Sequence, residues 1–507
     1  MKRIANALGK LCPGRTLYAV LLCATAAVVL PAQPLSTLHS FDLADGALPD
    51  AALVQGTDGD LYGTTTAGGA KAIHGGTVFK ITPSGTLTVL YSFCSHIANY
   101  ICADGEAPGA LMLATDGNFY GTTNSGGFPC GPVAGCGTIF KMTPSGTLTT
   151  LYSFCSPTAQ CPDGLAPNAA LVQAADGNFY GTTSHGGAFG DGGTVFKITP
   201  TGTLATLYSF CSQTGCTDGA TPVGPLVQDS NGDFYGTTVG GGTGEGVGGT
   251  VFKITPSGTL TTLYNFCSET NCLDGSEPFA GLVQAASGEF YGTTCLYGPH
   301  DSGTVFKITP SGALTTIYSF CSQGGCSDGE NPLALIRAPQ GDFYGTTAHG
   351  GANCSPYGCG TVFRITAAGK LTTLLAFCSQ NACKGGTEPQ AGLVQATSGD
   401  FYGTTYNGGA SDACPKGCGT VFSLSLGLSP FVETLPISGQ AGTTVRILGT
   451  GLTVATGVTF NGRPSMFEAI SGSEIVTTVP AGASTGKVQV ATPSGTLSSN
   501  VAFRVRP

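Results

Sequence analysis

The chain has 507 residues, of which 10% are charged, and its formal net charge at pH 7 is −9. The charged fraction is well below the roughly 25% that is usual for soluble domains. Because the lysines and arginines stand singly and the net charge is negative, the composition argues against nucleic acid as a partner.

Residues 1–32 have the pattern of a secretory signal peptide. Basic residues precede an apolar run at residues 17–30, and Ala32 offers a small residue at a cleavage point. The run is shorter than the roughly 20 residues that a membrane span needs, although an uncleaved N-terminal anchor is the alternative. No later stretch is apolar enough, so we expect a secreted, extracellular or cell-surface protein without a membrane span in its mature part.

A Tyr-Gly-Thr-Thr motif recurs along the chain, and each copy is followed by Gly-Thr-Val-Phe or Gly-Thr-Ile-Phe. The motif begins at Tyr62, Tyr120, Tyr180, Tyr235, Tyr291, Tyr344 and Tyr402. A period of roughly 50–60 residues, with short β segments between glycine-rich turns, is typical of a β-propeller.

Each copy divides into four predicted strands, which we name a to d in chain order. In the third copy they are residues 170–173, 179–183, 193–199 and 204–210. Asp176-Gly177 and Thr201-Gly202 supply the turns between a and b and between c and d. Strand d follows six copies but not the seventh, and residues 35–41 carry the missing strand at the front. The sequence therefore predicts an all-β, seven-bladed β-propeller over residues 33–426, closed by an N-terminal strand.

The repeated pattern resembles the GloVer tandem repeat of secreted bacterial proteins. The resemblance covers residues 35–426 and implies propeller-like repeats, without a general enzymatic activity. Residues 427–507 differ, and their alternating apolar residues and Asn461-Gly462 turn predict a β-sandwich. This segment resembles an IPT/TIG domain, which implies an immunoglobulin-like fold acting as a spacer or adhesion module. The DNA-binding use of such domains is not expected, because a basic loop is absent.

Cysteines occur mostly in close pairs, which indicates local disulfides in an oxidising compartment. The nine predicted pairs are Cys94–Cys102, Cys130–Cys136, Cys155–Cys161, Cys211–Cys216, Cys267–Cys272, Cys321–Cys326, Cys354–Cys359, Cys378–Cys383 and Cys414–Cys418. Zinc binding is the alternative, although the spacings do not bring four ligands together. Cys295 has no local partner and is either a free thiol or paired between loops.

The long connections between b and c, and from d to the next a, should lie on one face of a propeller. Binding residues are often on loops held by a rigid scaffold, so this face is the predicted site. The candidate ligand-binding residues are Asn124, His185, His349 and Tyr406. The competing interpretation is that the histidines are ordinary polar loop residues and that the tyrosine covers its own blade.

Two further sets of charged residues recur with the repeat. Asp precedes Gly at Asp45, Asp104, Asp163, Asp218, Asp274 and Asp328. These carboxylates either cap turns or bind Ca²⁺, and turn capping explains every copy. Strand c carries Lys80, Lys141, Lys197, Lys253, Lys307 and Arg364. We expect these cations to be solvated or locally paired, with an anion-binding channel as the alternative.

No recognised catalytic motif is present, and no cofactor or metal site is predicted. The leading hypothesis is a non-catalytic, monomeric binding protein whose loop face, pinned by disulfides, takes a glycan, peptide or envelope component. One alternative is an extracellular polysaccharide hydrolase or lyase with its site at the propeller channel. The other is a purely structural envelope protein.

Overall fold

A computed structural model describes residues 35–70, 75–95, 97–98, 101–129, 135–155, 161–244, 248–351, 359–378 and 383–506. The predicted signal peptide lies outside these residues. The described residues belong to one unit, Pro34–Pro507. Among them, no helix is long and apolar enough to cross a membrane.

The described part of the repeat region forms seven four-stranded antiparallel sheets, each in the order a, b, c, d. Strands a are Val54–Gln55, Glu106–Leu113, Val172–Gln173, Val227–Gln228, Val283–Gln284, Glu330–Arg337 and Val394–Gln395. Strands b are Leu61–Thr65, Phe119–Ser125, Phe179–Thr183, Phe234–Thr238, Phe290–Thr294, Phe343–His349 and Phe401–Thr405. Strands c are Thr77–Ile81, Thr138–Met142, Thr194–Ile198, Thr250–Ile254, Thr304–Ile308, Thr361–Ile365 and Thr420–Leu424. Strands d are Leu87–Ser92, Leu148–Ser153, Leu204–Ser209, Leu260–Asn265, Leu314–Ser319, Leu371–Ala376 and, in the sheet of the last repeat, Leu35–Ser40.

Smaller elements lie in the connections. Ile97–Ala98 pairs with Ile101–Cys102 in a short hairpin. Among the described residues, single 3₁₀ turns are Thr214–Cys216, Thr270–Cys272 and Gly324–Cys326, and Leu452–Val454 forms another in the C-terminal module. The prediction of an all-β chain built from repeated four-stranded sheets is confirmed, and this architecture is of the propeller type.

The N-terminal strand is hydrogen-bonded to the end of the repeat region. Leu35 lies opposite Leu424 and Ser40 opposite Thr420, with a bulge between Thr37 and His39. The first strand in the chain thus occupies the outer position that strand d takes in the other six sheets, and the two ends of the repeat region share one sheet.

The tyrosine, the glycine and the second threonine of the Tyr-Gly-Thr-Thr motif each have a packing role. In the third repeat, the Tyr180 ring stacks on Phe234 of the next repeat, with centroids 4.2 Å apart. At Gly181 a Cβ atom would meet the strand c phenylalanine at 2.6 Å, so only glycine fits. The hydroxyl oxygens of Thr183 and Thr194 lie 2.8 Å apart and join strands b and c. The motif therefore stabilises the contact between neighbouring sheets as well as the pairing of strands b and c within one sheet.

The C-terminal module forms two four-stranded sheets over a shared core. One sheet has the order Glu433–Leu435, Thr444–Leu448, Glu474–Thr478, Phe467–Ala469. The other has the order Arg463–Ser465, Gly457–Phe460, Val488–Thr492, Gly495–Ser498. A parallel pair joins Ser438–Gly439 to Arg504–Val505.

The module packs against the repeat sheets, a contact that the resemblance to a spacer or adhesion module leaves open. Leu448 is 4% exposed and belongs to the same apolar cluster as Leu113 and Phe119 of the second repeat. Leu435 packs against this cluster as well. Sequence patterns show which residues of a sandwich face inward, but they do not show that a leucine outside the sandwich core packs against a second domain.

Candidate cavity on the loop face

The segments that lead into strands a surround a cavity of about 620 Å³, to which all seven repeats contribute. In each repeat one lining residue directly follows a proline. These ring residues are Asp50, Gly109, Asn168, Val223, Phe279, Leu333 and Gln390. Tyr406, which follows strand b of the last repeat, also lines the cavity. The cavity therefore lies on the side that carries the b–c and d–a connections, here called the loop face.

Backbone geometry brings the ring residues to the cavity. The residue before each proline has a left-handed φ, between 52° and 57°, at Leu48, Ala107, Ala166, Thr221, Glu277, Asn331 and Glu388. A following proline disfavours the right-handed helical region, and the tight packing of the proline ring holds this less common conformation. At Gly193, for example, a Cβ atom would lie 2.8 Å from Pro222 Cδ. The chain therefore turns sharply at this point in every repeat.

Hydrogen bonds between neighbouring repeats fix the same segments. In six of the seven repeats, the first threonine of the Tyr-Gly-Thr-Thr motif donates its hydroxyl hydrogen to a carbonyl oxygen one or two residues after the proline of the next repeat. Thr237 Oγ1 is 2.9 Å from the Ala280 oxygen, and Thr346 Oγ1 is 2.8 Å from the Ala391 oxygen. In the last repeat, Thr404 Oγ1 is 3.4 Å from the oxygen of Ala51. Recurring hydrogen bonds thus hold the segments that line the cavity, whereas the ring side chains differ from repeat to repeat.

The ring has an apolar side and a polar side. Val223, Phe279 and Leu333 come from three successive repeats and form one side, on which Phe279 is 42% exposed. Gln390 comes from the last repeat and Asp50 from the first. These two repeats are hydrogen-bonded to each other near their strands a and b. Asn168 of the third repeat and the Tyr406 phenol add to the polar side. Such a cavity offers an apolar contact and several hydrogen-bonding groups to one ligand.

Burial dominates the electrostatics of the polar side. Removal from water raises the pKa of Asp50 from its ordinary value of 3.8 to about 6. Its own backbone N–H opposes this rise, and no other described residue donates to the carboxylate. Burial also raises the pKa of Tyr406, and the charges of Asp50 and Glu388 add to that effect. Asp50 is therefore poised to accept a proton or a hydrogen bond from a ligand.

The four candidate ligand-binding residues occupy different places. Tyr406 lines the cavity, whereas Asn124, His185 and His349 are not among its lining residues. His185 Nδ1 lies 3.3 Å from Asp191 Oδ2 in the same loop. His349 ends strand b of the sixth repeat, opposite Glu330 in the register. The structure does not bring these three together with Tyr406 around the cavity.

Asp50 and Phe279 were missed by the sequence reasoning. The available signal was the position after the recurring proline, where the residue changes from repeat to repeat and only Asp50 is acidic. A comparison of copies at that position would have singled it out. The signal was weak because nothing in the sequence shows that this position, rather than the longer loops, faces a cavity.

The Asp-Gly aspartates act within their own repeats. Asp218 is fully buried. One of its carboxylate oxygens accepts hydrogen bonds from the Tyr208 hydroxyl at 2.8 Å and from the Ser212 N–H and hydroxyl at 3.0 and 2.8 Å. Asp274 and Asp328 repeat this arrangement. These contacts hold the loop that follows strand d, which favours a structural role over Ca²⁺ binding.

The strand c cations are locally paired, as predicted. Lys141 Nζ lies 2.9 Å from Asp116 Oδ2, and Lys197 Nζ lies 2.9 Å from Asp176 Oδ2. Lys80, Lys253, Lys307 and Arg364 likewise pair with acids between strands a and b of their own repeats. The pairs lie on the side opposite the loop face, here called the turn face, so they form no anion site at the cavity.

Many local disulfides are present in the described residues. The bonded pairs are Cys94–Cys102, Cys155–Cys161, Cys211–Cys216, Cys267–Cys272, Cys321–Cys326, Cys378–Cys383 and Cys414–Cys418. Cys136 and Cys359 are also disulfide-bonded, and their predicted partners Cys130 and Cys354 lie outside the described residues. Cys295 is a free thiol, and burial raises its pKa to about 11, which makes it a poor nucleophile.

Among solved structures, the chain is similar to a periplasmic gluconolactonase of Pseudomonas aeruginosa, with 18% identity and a TM-score of 0.43, over 70% of this chain and 93% of that one. An extracellular domain assigned to a hybrid two-component system of B. thetaiotaomicron has 12% identity and a TM-score of 0.48, over 94% of this chain and 60% of that one. No curated protein matches the chain. At these identities the similarities do not transfer an activity.

Family comparison is more direct. The IPT/TIG domain matches residues 429–505. The Gloeobacter/Verrucomicrobia repeat matches residues 28–128, 94–273 and 268–465. The chain therefore belongs to the Gloeobacter/Verrucomicrobia repeat family and carries a C-terminal IPT/TIG domain.

Proposed function

We propose that the repeat sheets close into a seven-bladed propeller and that its axial cavity binds a sugar unit of an extracellular glycan without catalysis. Closure is supported by three contacts between the first and last repeats. Leu35–Ser40 pairs with Thr420–Leu424, Thr404 bonds to Ala51, and Gln55 Oε1 accepts the Thr397 N–H at 2.9 Å. The disulfides and the signal-like N-terminus support secretion.

The division of the ring into an apolar and a polar side carries the proposal. A sugar ring has a C–H face that packs on an exposed aromatic ring such as Phe279, and hydroxyls that need both donors and acceptors. Asn168, Gln390 and Tyr406 supply both, and Asp50 supplies a strong acceptor. The cavity volume of about 620 Å³ is that of an ordinary ligand pocket, for which the range is about 300–1,000 Å³.

Absence of a carboxylate pair supports binding over hydrolysis. Glycoside hydrolysis normally uses two carboxylates at a fixed separation. Among the described residues that line the cavity, Asp50 is the one carboxylate. A ligand held there would be bound by a single acid, with no second acid to complete a hydrolytic pair.

Binding is tested with a panel of defined neutral oligosaccharides and peptidoglycan fragments, measured by calorimetry. Phe279→Ala is expected to weaken binding at least tenfold, because it removes the aromatic contact. Phe189→Ala is the matched control, since Phe189 is 56% exposed on a loop-face connection and does not line the cavity. Equal affinity of wild type and Phe279→Ala, or no binding to any panel member, would contradict the proposal.

A lyase is the second candidate, favoured by one observation. A carboxylate with a pKa of about 6, close to the Tyr406 phenol, has the properties of a general base near neutral pH. Mass spectrometry of the same mixtures distinguishes the two functions. Intact retained fragments support binding, whereas shorter products that disappear in Asp50→Asn support the lyase.

A further inference from the structure

The IPT/TIG domain contacts the hairpin turns between strands a and b, which lie on the turn face. Ser473 Oγ donates to the Thr57 oxygen at 2.7 Å in the first repeat, and Arg446 Nε donates to the Thr115 oxygen at 3.2 Å in the second. Arg504 Nη1 donates to the oxygen of Ser230 at 3.0 Å in the fourth repeat.

The seventh repeat is contacted as well, since the Phe431 N–H donates to the Thr397 oxygen at 3.0 Å. In a closed ring, repeats seven, one and two lie together, and repeat four lies across the axis from them. A rigid sandwich with its own core that touches both sides must cover the axis between them. Leu448, buried against the second repeat, anchors it there.

At the inner wall of the cavity, two pairs of neighbouring repeats are in close backbone contact. At Gly109 a Cβ atom would lie 2.3 Å from the Asn168 oxygen, so the second and third repeats touch at the ring. At Gly281 a Cβ atom would lie 2.6 Å from the Pro225 oxygen, so the fourth and fifth repeats touch in the same way. A chain that enters from the loop face therefore has no side exit at these contacts.

We infer that the IPT/TIG domain closes the turn-face end of the propeller axis, so that the cavity is blind and takes the terminal unit of a glycan chain rather than an internal segment. This inference rests on the proposed function and adds the mode of recognition. A cavity open at both ends would let a linear chain thread through, whereas a blind one admits only a chain end.

The test uses the full-length protein. The probes are linear hexasaccharides of β-1,4-glucan, xylan and chitin, each with free ends or with bulky groups on both ends, and the corresponding disaccharides. Affinity is measured by calorimetry, and Phe279→Ala serves to show that binding occurs in the cavity.

For a probe that binds, we expect blocking of both ends to lower affinity at least tenfold, with less than a threefold difference between disaccharide and hexasaccharide. Equal binding of free and doubly blocked hexasaccharides would overturn end recognition while leaving the binding function intact. If no probe binds, both the inference and the proposed function fail.

Discussion

Asp50 is the residue whose chemistry differs most from that of its counterparts in the other repeats. The equivalent residues are neutral, and all seven occupy the same sharply turned segment after a proline. A partly buried carboxylate without a cation is costly in its charged form, and a ligand in the cavity could supply the missing donor. Among the described residues that line the cavity, that position supplies the one carboxylate.

Replacing this carboxylate should change the pH dependence of stability. Because burial raises the pKa of Asp50 to about 6, the folded protein holds a proton that the unfolded chain has lost between about pH 4 and pH 6. Stability therefore falls as pH rises through this window, and the penalty is complete above it. Asp50→Asn removes the penalty and should be more stable than wild type by roughly 2 kcal/mol at pH 8, with no gain at pH 3.5.

Urea unfolding at both pH values measures the difference. Asp412→Asn, at an exposed loop-face position, is the control and should change stability equally at the two pH values. A gain for Asp50→Asn that is the same at pH 3.5 and pH 8 would show that the carboxylate is not desolvated.

Neighbouring repeats are joined by hydrogen bonds from threonine side chains of strand b. The first threonine of the Tyr-Gly-Thr-Thr motif bonds across to the neighbouring repeat in six copies, as at Thr346, but Thr182 Oγ1 has no partner among the described residues. Thr182 is therefore an internal control for the contribution of this hydrogen bond to stability.

Thr346→Val should lower the free energy of unfolding by about 1–2 kcal/mol, because it leaves the buried Ala391 carbonyl without its donor. Thr182→Val should change it by less than about 0.5 kcal/mol or increase it, since no bond is lost there. Chemical denaturation of both variants gives the comparison. Equal losses in the two would mean that side-chain shape, and not the hydrogen bond, matters at this position.

The loop after strand d depends on the buried aspartate as well as on its disulfide. Asp218→Ala should destabilise the protein by about 3 kcal/mol, because the Tyr208 hydroxyl and the Ser212 N–H lose a charged acceptor. The double variant Cys211→Ser, Cys216→Ser should lose about 2 kcal/mol, as the closed loop is short.

Thermal unfolding measures both variants, and the wild type is measured with Ca²⁺ and with a chelator. The thermal midpoints of the wild type with Ca²⁺ and with the chelator should coincide, because the Asp218 carboxylate already accepts hydrogen bonds within its own repeat. A Ca²⁺-dependent rise in midpoint that Asp218→Ala abolishes would favour the metal site instead.

At the scale of the whole molecule, the repeat region and the IPT/TIG domain share buried apolar surface and hydrogen bonds. Leu448→Ala should destabilise the protein by about 2–4 kcal/mol, because it leaves a cavity between the two domains. Met466→Ala, on the same domain but 89% exposed, should change stability by less than about 0.5 kcal/mol.

Differential scanning calorimetry gives the number of thermal unfolding transitions in each protein. We expect one transition for wild type and two for Leu448→Ala, as loss of the contact uncouples the domains. Two separate transitions in the wild type would show that the observed contacts do not couple them.

The all-β class, the repeated four-stranded unit and the local disulfides could be predicted from the sequence. These follow from short-range chemistry: alternating apolar residues, Asp-Gly turns and cysteines a few residues apart. The folded structure was needed to show which residues meet around the cavity. Asp50 and Phe279 are more than 200 positions apart in the chain, and their meeting depends on the order of sheets around the cavity. It also decided the place of the IPT/TIG domain, because the arginines that bind the turns recognise backbone carbonyls, which leave no signature in sequence.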